Sequence, residues 1–204
     1  MVPALLAAVQ TTVEAHEFGV LDGLDDRTIA ALAPVADEPR LVSRRRDGRQ
    51  VVMRHAAVEP RLAALLADID NRGLDLIVLL CTGRFPAWRL RTPFIEPQHV
   101  VDRFAEGLAT GAPSIGVMLP DPEQVHTFGP VGTRPTRFAA ASPYRPEPDA
   151  ALRAAGRALA DTGLIVMHCI GYTEPMRRIV AQESGRPVLL ARRLVATAID
   201  LLLA

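Results

Sequence analysis

A chain of 204 residues with 49% hydrophobic residues is long enough for one large domain or for two smaller lobes with a real core. Its formal net charge of zero argues against partners that bind through a broad electrostatic field, such as nucleic acid or an anionic membrane. All 23 basic residues are arginine, which excludes a lysine Schiff base and the lysine of a phosphate-binding loop.

The N-terminal part of the chain carries weak signals. Residues 1–14 have no basic start, and no segment of the chain approaches the ~18 apolar residues of a membrane span, so we expect a soluble, cytoplasmic protein. Residues 15–24 are predicted to form a strand that runs into a loop, and residues 26–34 a short helix. Asp47-Gly48 lies between two alternating runs and predicts a β-hairpin, whose arginines most simply form a solvated edge.

The clearest unit is residues 58–83, VEPRLAALLADIDNRGLDLIVLLCTG. Leucines at three- and four-residue spacing predict a helix, in which Pro60 suits the first turn and which Gly73 ends. The apolar run Leu76–Leu80 then predicts a buried strand that leads to Cys81.

A second unit, residues 148–171, repeats this plan as PDAALRAAGRALADTGLIVMHCIG. Asp149 is predicted to cap its helix, Gly163 to end it, and residues 164–168 to form the strand before Cys169. The segments LIVLLCTG and LIVMHCIG share five of eight positions, and these include the only two cysteines. The chain therefore contains an internal duplication of helix, strand and Cys-x-Gly.

Further apolar runs predict strands within 113–122, 136–144 and 185–191 and helices over 98–109 and 192–204. Strands that alternate with helices predict an α/β fold with a parallel sheet. The apolar final helix suggests a homodimer face, but it could equally close the core.

Both cysteines are predicted to lie where ligands collect, at the carboxyl ends of parallel strands. In an unexported chain the two are expected as free thiols, and the five histidines are too dispersed for a zinc site. The turns after them, with Thr82, Gly83 and Gly171, can aim amides at a carboxylate. Two matched thiols can remove and return a proton beside a carboxylate without a cofactor. Inert packing of both cysteines is the alternative reading.

His168 is not expected to serve as the base of Cys169. Residues that are adjacent on a strand point to opposite faces of the sheet, so the imidazole should face away from the thiol. A Cys-His hydrolase thereby loses its nearest candidate base.

The chain also resembles the AroM family over nearly its whole length. The resemblance rests on LDGL (21–24), VLLCTGRFP (78–86), FIEP (94–97), IGVMLPDPEQ (115–124), ASPY (141–144) and CIGYTEPMR (169–177). This family looks like a branch of the aspartate/glutamate and hydantoin racemase-like superfamily. The resemblance implies a racemase-like fold with two pseudo-symmetric βα lobes, helices on both faces, and one cysteine from each lobe facing the substrate.

The resemblance places an N-terminal lobe with Cys81 at 1–100, a second lobe with Cys169 at 101–185, and a strand and helix that return to the first lobe at 186–204. Asp22 could orient a ligand, although an Asp-Gly pair is often a turn. Glu96 could be a general base, or it could favour the dipole of the next helix.

Tyr172, Thr173 and Arg177 follow the second cysteine and could bind a carboxylate, or they could belong to an ordinary amphipathic helix.

The sequence departs from its relatives in three places. Relatives usually begin with a strand ending in a motif like TIGQTPR, whereas Met1 falls where the following helix should start, so one wall of the site is expected to be missing or encoded upstream. Ile170 stands where racemases commonly have a threonine, which argues against an unmodified amino acid as substrate. Ala191-Arg192-Arg193 replaces an expected Ala-Asn-Ser.

Three hypotheses follow. The first is a cofactor-independent isomerase, racemase or related lyase that acts on a small carboxylate through Cys81 and Cys169. The second is a binding or regulatory protein that keeps the cleft without turnover. The third is a redox switch, which requires the two Cα atoms to approach within ~7 Å.

Overall fold

The structure is a computed structural model that describes residues 1–35 and 37–203. Its strands are β1 (Arg40–Arg44), β2 (Gln50–Arg54), β3 (Ile77–Val78), β4 (Phe94–Ile95), β5 (Ile115–Leu119), β6 (Thr136–Ala140), β7 (Leu164–Met167) and β8 (Val188–Leu190). Its helices are α1 (Val2–Leu6), α2 (Asp26–Ala30), α3 (His55–Ile69), α4 (Pro97–Leu108), α5 (Asp149–Ala158), α6 (Glu174–Ser184) and α7 (Ala191–Leu203), and a 3₁₀ helix covers Pro122–His126.

A parallel sheet with the strand order β6, β5, β7, β8 forms the centre of the molecule. Val117 on β5 and Val166 on β7 are neighbours that pack toward α4 and α7. Met118 and Met167 are neighbours that pack toward α5 and α6 on the other face. Because helices cover both faces, the two central strands β5 and β7 are buried along their whole length. The predicted α/β fold with a parallel sheet is therefore confirmed.

The predicted duplication is present in the order of the elements. In the first copy α3 leads to β3, which pairs in parallel with β4, and β4 leads directly into α4. In the second copy α5 leads to β7, which pairs in parallel with β8, and β8 leads directly into α7. Each cysteine follows the first strand of its pair.

The strand before Cys81 is shorter than the sequence predicts. Regular pairing covers only Ile77–Val78, and the N–H of Leu79 adds one more bond, 3.0 Å to the carbonyl of Ile95. Its partner β4 lies between Pro93 and Pro97, which have no N–H to donate. The two prolines therefore limit the length of this small sheet.

The predicted hairpin is confirmed, since β1 and β2 pair in antiparallel fashion around Asp47-Gly48. Gly48 has a φ of 88°, which a residue with a side chain rarely adopts. The predicted strand within 15–24 is wrong, because this segment folds as coil and turn.

Two predicted helix starts are also wrong. α3 begins at His55, directly after β2, so Pro60 lies inside the helix and not in its first turn. Its N-cap residue is Arg54, which makes no capping bond, so the usual start signal is missing. In α5 the cap position belongs to Pro148, and Asp149 is the first helical residue.

The last helix, α7, packs against α4, α1 and β4, which are elements of the first half of the chain. The division into 1–100, 101–185 and 186–204 stays a prediction, and Ala204 lies outside the described residues. Leu201 and Leu202 near the end of α7 are 72% and 57% exposed, and the homodimer also stays a prediction. Among the described residues, no helix combines the length and the apolar character that crossing a bilayer requires.

The packing of α5 on the sheet gives a test of the core. Leu152 on α5 is fully buried, so Leu152→Ala should lower the free energy of unfolding by about 2–5 kcal/mol, because it removes contacts and leaves a cavity. Leu202→Ala makes the same change on the exposed end of α7 and should cost less than about 0.5 kcal/mol. Urea unfolding followed by circular dichroism measures both, and equal losses would contradict this assignment of the core.

Candidate active site

The two cysteines lie in turns with the same internal geometry. The N–H of Gly83 donates to the Sγ atom of Cys81 at 3.3 Å. The N–H of Gly171 donates to the Sγ atom of Cys169 at 3.4 Å. The predicted amides of Thr82 and Gly83 are thus free of sheet pairing, but that of Gly83 points at the neighbouring sulfur.

In both turns another side chain lies close to the glycine Cα atom, so a larger residue would require that side chain to move. A Cβ atom on Gly83 would lie 2.6 Å from a methyl group of Leu41 on β1. A Cβ atom on Gly171 would overlap the ring and hydroxyl of Tyr144. Because these glycines have no side chain, the hairpin packs against the turn at Gly83 and Tyr144 packs against the turn at Gly171.

A cavity of about 1040 Å³ opens where β3, β5 and β7 end. Cys81 and Cys169 are both among the residues that line it, and their catalytic role stays a prediction. The predicted ligand-binding residues Asp22, Thr82 and Gly83 line it as well. The cysteines are therefore placed where two thiols can face one ligand.

Cys81 is a weaker acid than an ordinary thiol. Burial raises the pKa of Cys81 from 9.0 to about 12, and the bond from Gly83 offsets this only in part. The negative charges of a Cys169 thiolate and of Glu96 raise this pKa further. At neutral pH Cys81 is protonated and can donate a proton.

Cys169 has more groups that favour its thiolate. Burial raises its pKa too, but the N–H of Gly171, the hydroxyl of Tyr144 and the charge of Arg192 all act in the opposite direction. The Tyr144 oxygen lies 3.6 Å from the sulfur. Burial raises the pKa of Tyr144 itself, so this hydroxyl keeps its proton and can donate to a thiolate. The site is therefore asymmetric between its two thiols.

His168 lies on the opposite face of the sheet from Cys169, as strand alternation predicts. Its Nε2 atom lies 2.8 Å from the Asp102 carboxylate on α4, and its ring packs edge-on against Phe128 with centroids 4.6 Å apart. Its carbonyl accepts a bond of 3.0 Å from the Thr82 hydroxyl, which joins the two cysteine turns. Thr82 thus has a structural contact in addition to its place in the cavity wall.

The structure does not bring the three predicted residues after Gly171 to the cavity. Tyr172 is fully buried and donates to the carbonyl of Ala141 at 2.7 Å. Thr173 occupies the cap position of α6, and Arg177 donates to Glu174 at 2.6 Å. Their contacts are those of a packed turn and an ordinary helix.

The two predicted carboxylates differ in position. Asp22 is at the cavity rim, where it accepts bonds of 3.0 Å from the N–H of Gly19 and from Arg46. Glu96 caps α4 in position but makes no side-chain capping bond, and it does not line the cavity. Burial raises the pKa of Glu96, and the Nε2 atom of His99 lies 3.6 Å from its carboxylate.

Sequence reasoning missed Tyr144 and Arg192. Tyr144 was visible only as the end of the ASPY motif, and the N–H of Tyr144 is held by the hydroxyl of Ser142 at 3.1 Å. Arg192 is 8% exposed and donates to the carbonyl of Ile170 at 2.8 Å, directly after Cys169. The available signal was the replacement of an expected Ala-Asn-Ser by Ala191-Arg192-Arg193.

Comparison with known proteins relates the chain to a family and to a fold. The family model described as AroM protein matches residues 1–203. The fold is similar to a crystal structure of arylmalonate decarboxylase, with 15% identity, a TM-score of 0.51, and coverage of 74% of this chain and 80% of that one. A structure of unliganded arylmalonate decarboxylase gives 14% identity, a TM-score of 0.49, and coverage of 75% and 80%. No curated protein matches the chain. At this identity the structural likeness shows the fold alone.

The contact between Tyr144 and Cys169 predicts a change in thiol reactivity. With Cys81→Ser as background, Tyr144→Phe removes a donor to the thiolate, so the pKa of Cys169 should rise and its alkylation at a given pH should slow by about tenfold. The rate should still increase with pH above 9.0, the ordinary thiol value, because burial holds the folded-state pKa higher. Iodoacetamide labelling followed by mass spectrometry measures the pH profile.

Tyr172→Phe is the matched control for this experiment. It removes the same atom from a buried tyrosine whose hydroxyl donates to a backbone carbonyl and not to the sulfur. If both variants slowed alkylation equally, Tyr144 would have no specific effect on the thiolate.

Proposed function

The chain belongs to the AroM family, and from that premise we propose that it is a cofactor-independent enzyme that moves a proton at the carbon atom beside a carboxylate. The observation that carries this proposal is the pair of equivalent Cys-x-Gly turns whose thiols line one cavity. A single buried cysteine has an ordinary explanation as packing. Two cysteines that occupy the same kind of turn at one cavity are better explained by acid/base chemistry than by packing.

The proton transfer uses the thiols in opposite protonation states. A thiolate removes the proton from one face of the substrate, and the electron pair of the broken C–H bond is delocalised into the carboxylate. The other thiol donates its proton to the opposite face, so the product has the inverted configuration. The first cysteine ends as a thiol and the second as a thiolate, and exchange with water resets them.

The electrostatics support Cys169 as the thiolate and Cys81 as the acid. Gly171, Tyr144 and Arg192 all favour charge on Cys169, whereas Glu96 disfavours it on Cys81. A thiolate at Cys169 disfavours ionisation of Cys81, because like charges repel each other. Because burial raises the pKa of both thiols, the base in this proposal is the thiolate fraction of Cys169 and the acid is the Cys81 thiol.

The carboxylate of the substrate is proposed to bind at the turn after β3. Thr82 and Gly83 line the cavity there, and Asp22 lies at its rim, where it can orient a polar group. The proposed backbone donor is the N–H of Thr82, because that of Gly83 already donates to the sulfur of Cys81. A backbone amide can bind a carboxylate without a lysine, which this chain lacks. Gly171, Tyr172, Thr173, Arg177 and Glu96 have no place in the cavity wall and are not part of this carboxylate site.

The number of thiols bears on the reaction class. Decarboxylation, which the name of the structural neighbour describes, leaves a carbanion that needs only one proton donor. Inversion needs an acid and a base on opposite faces. Two equivalent cysteines therefore favour an isomerase or racemase over a lyase.

A second candidate is a binding or regulatory protein with the same cleft. Two observations favour it: burial raises the pKa of both thiols, and the Sδ atom of Met1 lies 3.3 Å from the Tyr144 hydroxyl beside Cys169. A protein of this kind would bind small carboxylates without exchanging their protons.

Solvent exchange of substrate protons separates the two candidates. A library of small chiral carboxylates in deuterated buffer should reveal at least one compound whose α-proton exchanges and whose configuration inverts. Cys169→Ala should abolish exchange. Cys81→Ser should abolish inversion and leave slow one-sided exchange, since Ser is a poor proton donor to a carbanion compared with a thiol. Mass shift and chiral chromatography measure the two effects.

Circular dichroism is the control for this test, because neither substitution should unfold the protein. Replacing one buried cysteine costs on the order of 1–3 kcal/mol, less than the total stability of a typical domain. Binding of a carboxylate by the wild type without any exchange would reject the enzyme in favour of the binding protein.

A further inference from the structure

The hairpin of β1 and β2 is linked to the turns of both cysteines. A methyl group of Leu41 on β1 lies 2.6 Å from the place that a Cβ atom of Gly83 would take, beside Cys81. The Gln50 side chain at the start of β2 accepts a hydrogen bond from the hydroxyl of Ser142, which follows β6. This bond joins residues that are 92 positions apart in the chain. The hairpin thus reaches the segment that leads to the other cysteine.

Ser142 uses its hydroxyl in two hydrogen bonds. The hydroxyl donates to the Oε1 atom of Gln50, and its oxygen accepts the N–H of Tyr144 at 3.1 Å. A serine hydroxyl that accepts a bond from the backbone two residues later forms a side-chain turn, and Pro143 between the two residues restricts the backbone further. Ser142 is buried, so water competes little for either bond. The backbone of Tyr144 is therefore held by Ser142, and Ser142 is held by the hairpin.

The contact between Tyr144 and the thiol depends on where the backbone of Tyr144 lies. The Tyr144 hydroxyl oxygen is 3.6 Å from the Sγ atom of Cys169, and the ring lies against Gly171. A hydrogen bond weakens steeply when its donor moves or turns away. Because the hydroxyl is at the far end of a rigid ring, a small rotation of the backbone moves its oxygen further than the Cα atom. A loosened turn at Ser142 would therefore weaken the contact with the sulfur.

We infer that Ser142 is a positioning residue that holds Tyr144 against Cys169 and links the hairpin to this thiol. The inference rests on the proposed function, in which Cys169 is the base. Ser142 does not line the cavity, so its effect passes through Tyr144, whose hydroxyl favours the thiolate. Through Gln50, the first half of the chain thereby helps to set the reactivity of the cysteine in the second half.

The test measures how fast iodoacetamide alkylates Cys169 as the pH rises, with Cys81→Ser as background. Ser142→Ala removes both bonds of the hydroxyl and should slow alkylation at a given pH by about threefold. The profile should move to higher pH, because a loosened Tyr144 stabilises the thiolate less. Gln50→Met keeps the length of the side chain but removes its acceptor, and it should shift the profile in the same direction. Ser142→Thr keeps the hydroxyl and should keep the profile of the background protein.

A double-mutant cycle separates positioning from a general loosening of the structure. If Ser142 acts through Tyr144, Ser142→Ala should change the alkylation rate by less than about 1.5-fold when Tyr144→Phe is already present. A substitution that only loosened the packing would change the rate by the same factor in both backgrounds. Gln50→Met provides the same comparison should Ser142→Ala fail to fold.

Ser184→Ala is the matched control. Ser184 on α6 is 7% exposed, compared with 9% for Ser142. Its hydroxyl donates to the carbonyl of Val180 at 2.7 Å and accepts the N–H of Arg186, two residues later, at 3.2 Å. Because Ser184 lies outside the cavity wall, this variant should leave the profile of Cys169 unchanged. Thermal unfolding checks that each variant is folded.

The inference and the proposed function fail in different ways, since labelling requires no turnover. The inference is overturned if Ser142→Ala and Gln50→Met keep the profile of the background protein, or if Ser142→Ala slows labelling equally with and without Tyr144→Phe. An equal shift in Ser184→Ala overturns it as well. If the profile shifts as expected while no carboxylate exchanges its α-proton, the positioning of the thiol by Ser142 stands and the proposed enzyme is rejected.

Discussion

The site depends on two glycines that allow close approach in the turns after the cysteine-bearing strands. At Gly171 the space of a side chain is taken by Tyr144, and at Gly83 by Leu41 from the hairpin. In each turn the glycine N–H reaches back to the sulfur two residues earlier. In both turns this close approach packs a side chain from a distant segment against the glycine.

The same enclosure sets the chemical difference between the two thiols. Burial raises the pKa of both, so neither is a strong nucleophile on its own. The two thiols differ in the groups around them. The Tyr144 hydroxyl and the Arg192 guanidinium lower the pKa of Cys169, whereas the Glu96 carboxylate raises that of Cys81. A duplicated framework thus carries unequal side chains, which is what an acid and a base placed in equivalent turns require.

Local patterns in the sequence predict the features that neighbouring residues determine. The apolar runs before Cys81 and Cys169, the hairpin at Asp47-Gly48 and the turning of His168 away from Cys169 all follow from periodicity and turn chemistry. Contacts between distant segments could not be predicted in this way. Tyr144 reaches Cys169 only because the glycine two residues after that cysteine leaves room, and the partners of Arg40 and Gln124 depend on how the 3₁₀ helix meets β1.

The claim that two thiols face one ligand can be measured without knowing the substrate. A bulky aryl maleimide that fills the cavity should react at mildly alkaline pH with either Cys81 or Cys169, and the first adduct should block the second. Intact mass should stop at one equivalent, and peptide mapping should find each cysteine labelled in different molecules, with both labelled after unfolding. Two adducts on one folded molecule would show that the thiols do not share a ligand-sized space and would contradict the account.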